Sequence, residues 1–219
     1  MFKLTSTQFN RSKKKAHRSK PRVIYVYCCH RLADRSITVV FFYFRKRHYL
    51  KKIAALHDSL GIPGGYGQAR RLPLQMEASE LVSIGADIYQ REQRLLPEAA
   101  IAWQSMRESA WGEGVELQVV SAYRSVGYQE GILRRKLKIG QEIGEILQVS
   151  AAPGFSEHHT GRAVDITTPG SPVLEEEFER SEAFAWLTDH AADFGFHMTF
   201  PRGNPHGVAY EPWHWAWRE

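Results

Sequence analysis

Ser156-Glu157-His158-His159-Thr160-Gly161-Arg162-Ala163-Val164-Asp165, running on into Ile166-Thr167, sets the plan of this chain. A Pro-Gly loop (Pro153-Gly154) leads into it, and its end, Ala163 to Thr167, reads as a short buried strand. Upstream, Val115 to Ala122 (VELQVVSA) is a second strand, Tyr128 to Leu137 a helix and Ile143 to Val149 a shorter one. Ala99 to Trp111 is amphipathic and closes at Gly112 and Gly114. Leu81, Ile84, Ile88 and Tyr89 recur at helical spacing and predict a further helix from about residue 77. Downstream, Phe184 to Phe194 predicts a helix ending at Gly195. Phe196 to Phe200 and Val208 to Trp217 predict the last strands, with Asn204-Pro205 in the turn between them. Helices come first and most strands later, so the expected class is α+β, with helices packed around a small antiparallel sheet.

The 219 residues suffice for one domain with an appendage and are short for two full domains. The net charge of +5 hides a division. Residues 1–52 hold 15 Lys and Arg against one acid, Asp34, whereas residues 53–219 hold 14 against 23 acids. A basic arm of +14 is thus joined to a body of −9. Composition changes near residues 50–65, where Gly61-Ile62-Pro63-Gly64-Gly65 signals a loop. The expected organisation is a disordered basic extension (1–52), a linker (53–76) and a folded body (77–219). Lys13, Lys14 and Lys15 with their basic neighbours can bind phosphates or anionic lipid, but no nucleic-acid-binding module accompanies them. Cys28 and Cys29 are adjacent and poorly placed for a mutual disulfide, and residues 53–219 contain no cysteine. A disulfide framework and thiolate ligation of a metal are therefore excluded for the body. The apolar run Ile37 to Phe44 is far below the roughly 20 residues that span a bilayer. Arg45-Lys46-Arg47-His48 stands where the small residues of a signal cleavage site would be expected.

The chemistry concentrates in His158 and Asp165 of the opening segment and in Glu211-Pro212-Trp213-His214. A catalytic zinc site commonly uses three ligands drawn from His nitrogen and carboxylate oxygen, with one position open to water. A further carboxylate off the metal can take a proton from that water. Other divalent ions also suit such a set. Residues three apart point to opposite faces of a flat strand, so Glu211 and His214 converge only if the chain bends, and Pro212 favours a bend there. Arg124, in Ser121-Ala122-Tyr123-Arg124-Ser125, ends a predicted strand. It either pairs with a structural acid or offers its paired donors to a substrate carboxylate. His206, His190 and His197 read as loop, helix-surface and strand residues. Tyr210, Trp213, Trp215 and Trp217 read mainly as core packing, with Tyr210 or Trp213 able to wall a pocket.

The pattern SxHxxGxAxD followed by ExWH resembles the signature of the zinc D,D-carboxypeptidases of the VanY type. Their superfamily also holds D,D-dipeptidases, L,D-carboxypeptidases and the Hedgehog signalling domain. Every fixed position is present: Ser156, His158, Gly161, Ala163 and Asp165, then Glu211, Trp213 and His214. The resemblance spans about residues 77–219. It implies that His158, Asp165 and His214 hold one zinc ion in a cleft on the sheet, that Glu211 is the general base, and that His158 rather than His159 is the ligand. It also implies that Arg124, Gln129 and Ser156 face the C-terminal end of a peptide, with an oxyanion-stabilising role for Arg124 as the alternative. The implied activity is removal of C-terminal D-alanine from peptidoglycan stem peptides or precursors. L,D-carboxypeptidase action on tetrapeptide stems and a non-catalytic zinc-containing binding module are the alternatives. The implied location is the cell envelope or periplasm, with the cytoplasm left open by the lack of a recognised signal peptide.

Overall fold

The computed structural model describes residues 33–219, with side chains from residue 46 onward. The Lys13–Lys15 run, Cys28, Cys29 and the side chains of the apolar run 37–44 lie outside the described residues.

Helix α1 (Ala33–Leu60) passes residue 52 without a break, and a compact unit begins at Tyr43. Tyr49, Ile53, Leu56 and Leu60 follow a spacing of four, three and four, which places them on one helical face. Tyr49 and Ile53 are buried with Val126, and Leu60 is buried with Ile62, Tyr66, Leu72, Leu133, Ile146 and Leu147. Tyr49 Oη donates to the Gln75 carbonyl at 2.7 Å, and His57 Nε2 donates to the Pro153 carbonyl at 2.8 Å. Residues 53–76, expected as a linker, therefore contain helix, a short second helix α2 (Tyr66–Ala69) and extended chain built into two apolar clusters. Among the described residues no helix is long and apolar enough to cross a membrane.

The helix expected from residue 77 is instead a hairpin, β1 (Val82–Ala86) with β2 (Glu92–Leu95). Turn chemistry overrides the helical spacing of its four apolar residues. The buried Asp87 carboxylate accepts from the Tyr89 and Arg91 amides at 2.8 and 2.9 Å, and from Arg91 Nε and Gln93 Nε2 at 2.7 and 2.8 Å. Gln90 takes a left-handed φ of 61° in that turn.

Helix α3 (Pro97–Gly112) starts on a proline and buries Ala99, Ala100, Trp103, Met106 and Ala110. Strand β3 (Gln118–Ser121) leads to α4 (Val126–Lys138), whose N-terminus is capped where Ser125 Oγ accepts from the Tyr128 amide at 3.0 Å. Then follow α5 (Ile143–Val149), a 3₁₀ turn (Glu157–Thr160), β4 (Ala163–Thr167), α6 (Glu182–His190), β5 (Phe196–Met198) and β6 (His214–Trp217). The last two strands are shorter than expected. Proline lacks the amide a ladder needs, and Pro201, Pro205 and Pro212 hold residues 199–213 as loop.

Strands β3, β4, β6 and β5 form one antiparallel sheet in that order, so the class is α+β as the element order predicts. All five residues of β4 are buried, which marks a strand covered on both faces. Val164 and Ile166 pack into the main core with Trp103, Phe178, Leu187, Phe196 and Trp215. Alternation turns Asp165 to the other face.

Gly161 ends the 3₁₀ turn with φ 67°, and a Cβ there would lie 2.8 Å from Leu81 Cδ2 and 3.0 Å from the Leu96 amide nitrogen. Gly161→Ala should lower stability by about 1–3 kcal/mol. At Gly112 a Cβ meets no atom within 4 Å and φ is not positive, so Gly112→Ala should gain about 0.4–1 kcal/mol. Urea midpoints of the two variants should move in opposite directions; a shared direction contradicts this account of Gly161.

Candidate active site

Strand register brings the first two site residues together. Asp165 on β4 lies directly opposite His214 on β6, and Asp165 Oδ1 is 3.0 Å from His214 Nδ1. His158 arrives from the 3₁₀ turn before β4. Its Nδ1 donates to the Ala122 carbonyl at 2.6 Å, so the lone pair is left on Nε2. That nitrogen is buried, has no hydrogen-bond partner and lies 3.2 Å from Asp165 Oδ1. Each of the three residues offers one ligand atom, and these atoms lie within 4.8 Å of one another. Two imidazoles and a carboxylate, one imidazole nitrogen being buried without a partner, fit the donor preference of zinc.

A second layer holds these groups. Glu157 Oε2 accepts from His214 Nε2 at 3.0 Å, leaving Nδ1 to face the centre. Arg124 Nη2 donates to Asp165 Oδ2 at 3.1 Å. His159 turns away from the centre: its Nδ1 donates to the Arg124 carbonyl at 2.6 Å, and its Nε2 accepts from the Gly154 amide at 3.0 Å. These two bonds fix one neutral tautomer.

The bend expected at Pro212 is present. The His214 amide donates to the Glu211 carbonyl at 3.1 Å, closing a turn just before β6. Glu211 and His214 thereby share a side, with Glu211 Oε2 at 4.0 Å from His214 Nδ1.

Charges in this buried cluster are strongly coupled. Burial holds His158 down at about 4, with Arg124 adding to the effect. Burial also works to lower His214, but its hydrogen bonds and charge interactions with Asp165 and Glu157 win and push it up to about 10. Burial would raise Asp165, yet His158 and Arg124 hold it well below the ordinary carboxylate range. Glu211 is pushed up to about 7, chiefly by burial, with Asp165 and Glu157 contributing repulsion and His214 and Arg124 opposing. A metal bound at His214 requires that imidazole to release its proton.

A small recess of about 50 Å³ over the cluster is lined by Arg124, Gln129, Ser156, His158, Glu211 and His214. Asp165, Arg124 and Glu211 also border an adjoining cleft of about 500 Å³. All seven expected site residues therefore meet in one region. Tyr210 and Trp213 both wall the cleft, while Trp215 is core. His206 bonds to the Arg70 carbonyl, His190 packs at a tilt against Trp186, and His197 is exposed on β5; none of the three lines the recess. Glu157 was missed by the sequence reading, although its place beside His158 in a tight turn was the available signal. Lys136 and Ser150, which also border the cleft, carry no motif.

Residues 92–219 match the family model described as VanY, D-alanyl-D-alanine carboxypeptidase. Over 166 residues the chain is 31% identical to YodJ of Bacillus subtilis (strain 168), a protein provisionally named a carboxypeptidase; the match covers 74% of this chain and 58% of YodJ. The chain thus spans little more than half the length of that relative. Among solved structures, the LdcB LD-carboxypeptidase is similar with 33% identity and a TM-score of 0.58, over 66% of this chain and 71% of that one. A variant of the vancomycin-resistance D,D-pentapeptidase VanY, in complex with Zn(II), is similar with 27% identity and a TM-score of 0.52, over 67% and 82%. The family match covers more than half of this chain and takes in β2 through β6, with every residue of the buried cluster inside it; the chain belongs to the VanY D-alanyl-D-alanine carboxypeptidase family.

Proposed function

We propose that this chain is a zinc-dependent carboxypeptidase that removes the C-terminal D-alanine of peptidoglycan stem peptides, acting in the cell envelope. The observation that carries this reading is the buried His158–Asp165–His214 cluster with a separate carboxyl, Glu211, 4.0 Å from one of its members. His158 Nε2, Asp165 Oδ1 and His214 Nδ1 would hold the ion. Zinc in such a site lowers the pKa of water and polarises a carbonyl. Glu211, raised towards neutrality by burial, suits a group that accepts a proton from the attacking water and returns it to the leaving amine. Arg124, Gln129 and Ser156 line the recess and would bind the peptide, with Arg124 beside Asp165 suited to the charge that develops on the scissile carbonyl oxygen.

The choice of bond is tested with defined stems. Zinc-loaded protein should release D-alanine from a pentapeptide ending in D-Ala-D-Ala, measured by mass spectrometry. The likeness to the LdcB LD-carboxypeptidase favours a second reading, in which only the tetrapeptide is cut; that product pattern would replace the first. Glu211→Ala should retain one zinc per chain and lose hydrolysis by a factor of at least about 10². Undiminished turnover would remove Glu211 from the mechanism. Glu157→Gln should weaken zinc binding about 10- to 100-fold in chelator competition, through loss of the charge that orients His214. An unchanged affinity would reduce Glu157 to a packing role.

A further inference from the structure

Two cations border the cleft of about 500 Å³, Arg124 and Lys136. Arg124 is committed to the cluster: its Nη2 bonds Asp165 at 3.1 Å and its Nη1 meets Gln129 Oε1 at 3.5 Å. Lys136 lies seven residues after Gln129 on α4, hence on the same helical face two turns away. Gln129 Nε2 donates to the Ala151 carbonyl at 2.8 Å, and Lys136 Nζ donates to the neighbouring Ser150 Oγ at 2.9 Å. The ammonium is half-buried, and Ser150, to which it donates, is neutral. It keeps two further hydrogens to donate. Ser150, serving Lys136 as acceptor, keeps its own proton to donate. Ammonium and hydroxyl side by side make a receptor for a carboxylate. The other charged groups on the cleft wall are the carboxyls of Glu175, Glu176, Glu211 and Asp165, so Lys136 with Ser150 is the part of the wall, apart from Arg124, that offers a carboxylate donors instead of like charge.

A carboxypeptidase must engage two oxygen-bearing groups about one residue apart, the scissile carbonyl and the terminal carboxylate; successive Cα atoms are about 3.8 Å apart. We infer that Lys136 and Ser150 receive the carboxylate of the substrate's C-terminal residue, leaving Arg124 to the carbonyl that is cleaved. This assignment rests on the carboxypeptidase reading above and chooses between the two alternative roles that the sequence leaves open for Arg124.

The test compares a stem pentapeptide bearing a free C-terminal acid with the same peptide as its C-terminal amide, both on zinc-loaded protein. The unsubstituted enzyme should prefer the acid by at least about tenfold in kcat/KM. Lys136→Met should raise KM for the acid about ten- to a hundredfold, so that the acid-to-amide ratio falls toward one. Lys136→Arg should restore part of the preference, which a purely structural role would not predict. If Lys136→Met keeps the full preference, or loses acid and amide equally, the assignment is overturned while the carboxypeptidase reading stands. Calorimetry with D-Ala-D-Ala on zinc-loaded Glu211→Ala needs no turnover and separates the two failures. Binding weakened by Lys136→Met, in a protein whose unsubstituted form cleaves no stem, would sustain the carboxylate site and sink the peptidase reading. Absence of both cleavage and binding removes both.

Discussion

The cross-strand pair of Asp165 and His214 is the contact on which the rest of the site depends. A one-residue slip between β4 and β6 would turn the side chains of the shifted strand to the opposite face and part Asp165 from His214. The register cannot slip cheaply, because β4 is buried along its whole length and its apolar residues are fixed against Trp103, Phe178 and Phe196. The apolar core therefore specifies the polar cluster. Taking Asp165 out of water is costly, and that cost is offset only while His214, His158 and Arg124 all face it.

Support for the cluster reaches back to α1 by a continuous series of contacts. Ile53 lies so close to Gly154 that a Cβ at that glycine would be 2.8 Å from its Cδ1. His57 holds the Pro153 carbonyl, and the Gly154 amide donates to His159. His159 holds the Arg124 carbonyl, and Arg124 holds Asp165. Past the apolar contact of Ile53, each link is a hydrogen bond between groups that are partly or fully buried, so breaking one leaves a shielded donor or acceptor unpaired. Residues 53–76 thus bear on the geometry of the site, although none of them carries a motif.

Local signals made the sheet and most helices legible. Strand β4 has the bounds that its apolar run suggests, and Gly195 stops the segment after α6 with φ 78°. The hairpin β1–β2 was not legible, because four apolar residues at helical spacing are also compatible with a strand and a turn, and Asp87 decides between them through four hydrogen bonds. The packing of 53–76 was hidden for a similar reason: Gly61 and Gly64-Gly65 mark loops wherever they occur, whether the flanking chain is buried or free. At the site, residue types and spacing indicated which groups meet, and Pro212 indicated how Glu211 and His214 could share a side. Glu157, Lys136 and Ser150 acquire meaning only from neighbours far along the chain, with 57 residues separating Glu157 from His214.

The two carboxyl groups on the Nδ1 side of His214 stand in different surroundings. Asp165 Oδ1 is 3.0 Å from His214 Nδ1 and 3.2 Å from His158 Nε2, and Arg124 neutralises its other oxygen. Glu211 Oε2 stands 4.0 Å from the same His214 nitrogen, is buried, and meets the repulsion of Asp165 and Glu157. One group is therefore held ionised far below neutrality, and the other is raised to about 7. This separation supports the proposed division of roles, with Asp165 as ligand and Glu211 as base. The group that stays ionised is the better cation ligand, because it never needs to release a proton to bind. In the proposed mechanism the group near 7 is the one that accepts and gives back a proton, and the turn at Pro212 holds it 4.0 Å from His214 Nδ1. Exchanging the two positions would, in that mechanism, place the carboxyl with the raised pKa among the ligands and the ionised one outside them; the register of β4 on β6 and the turn before β6 keep each where it is.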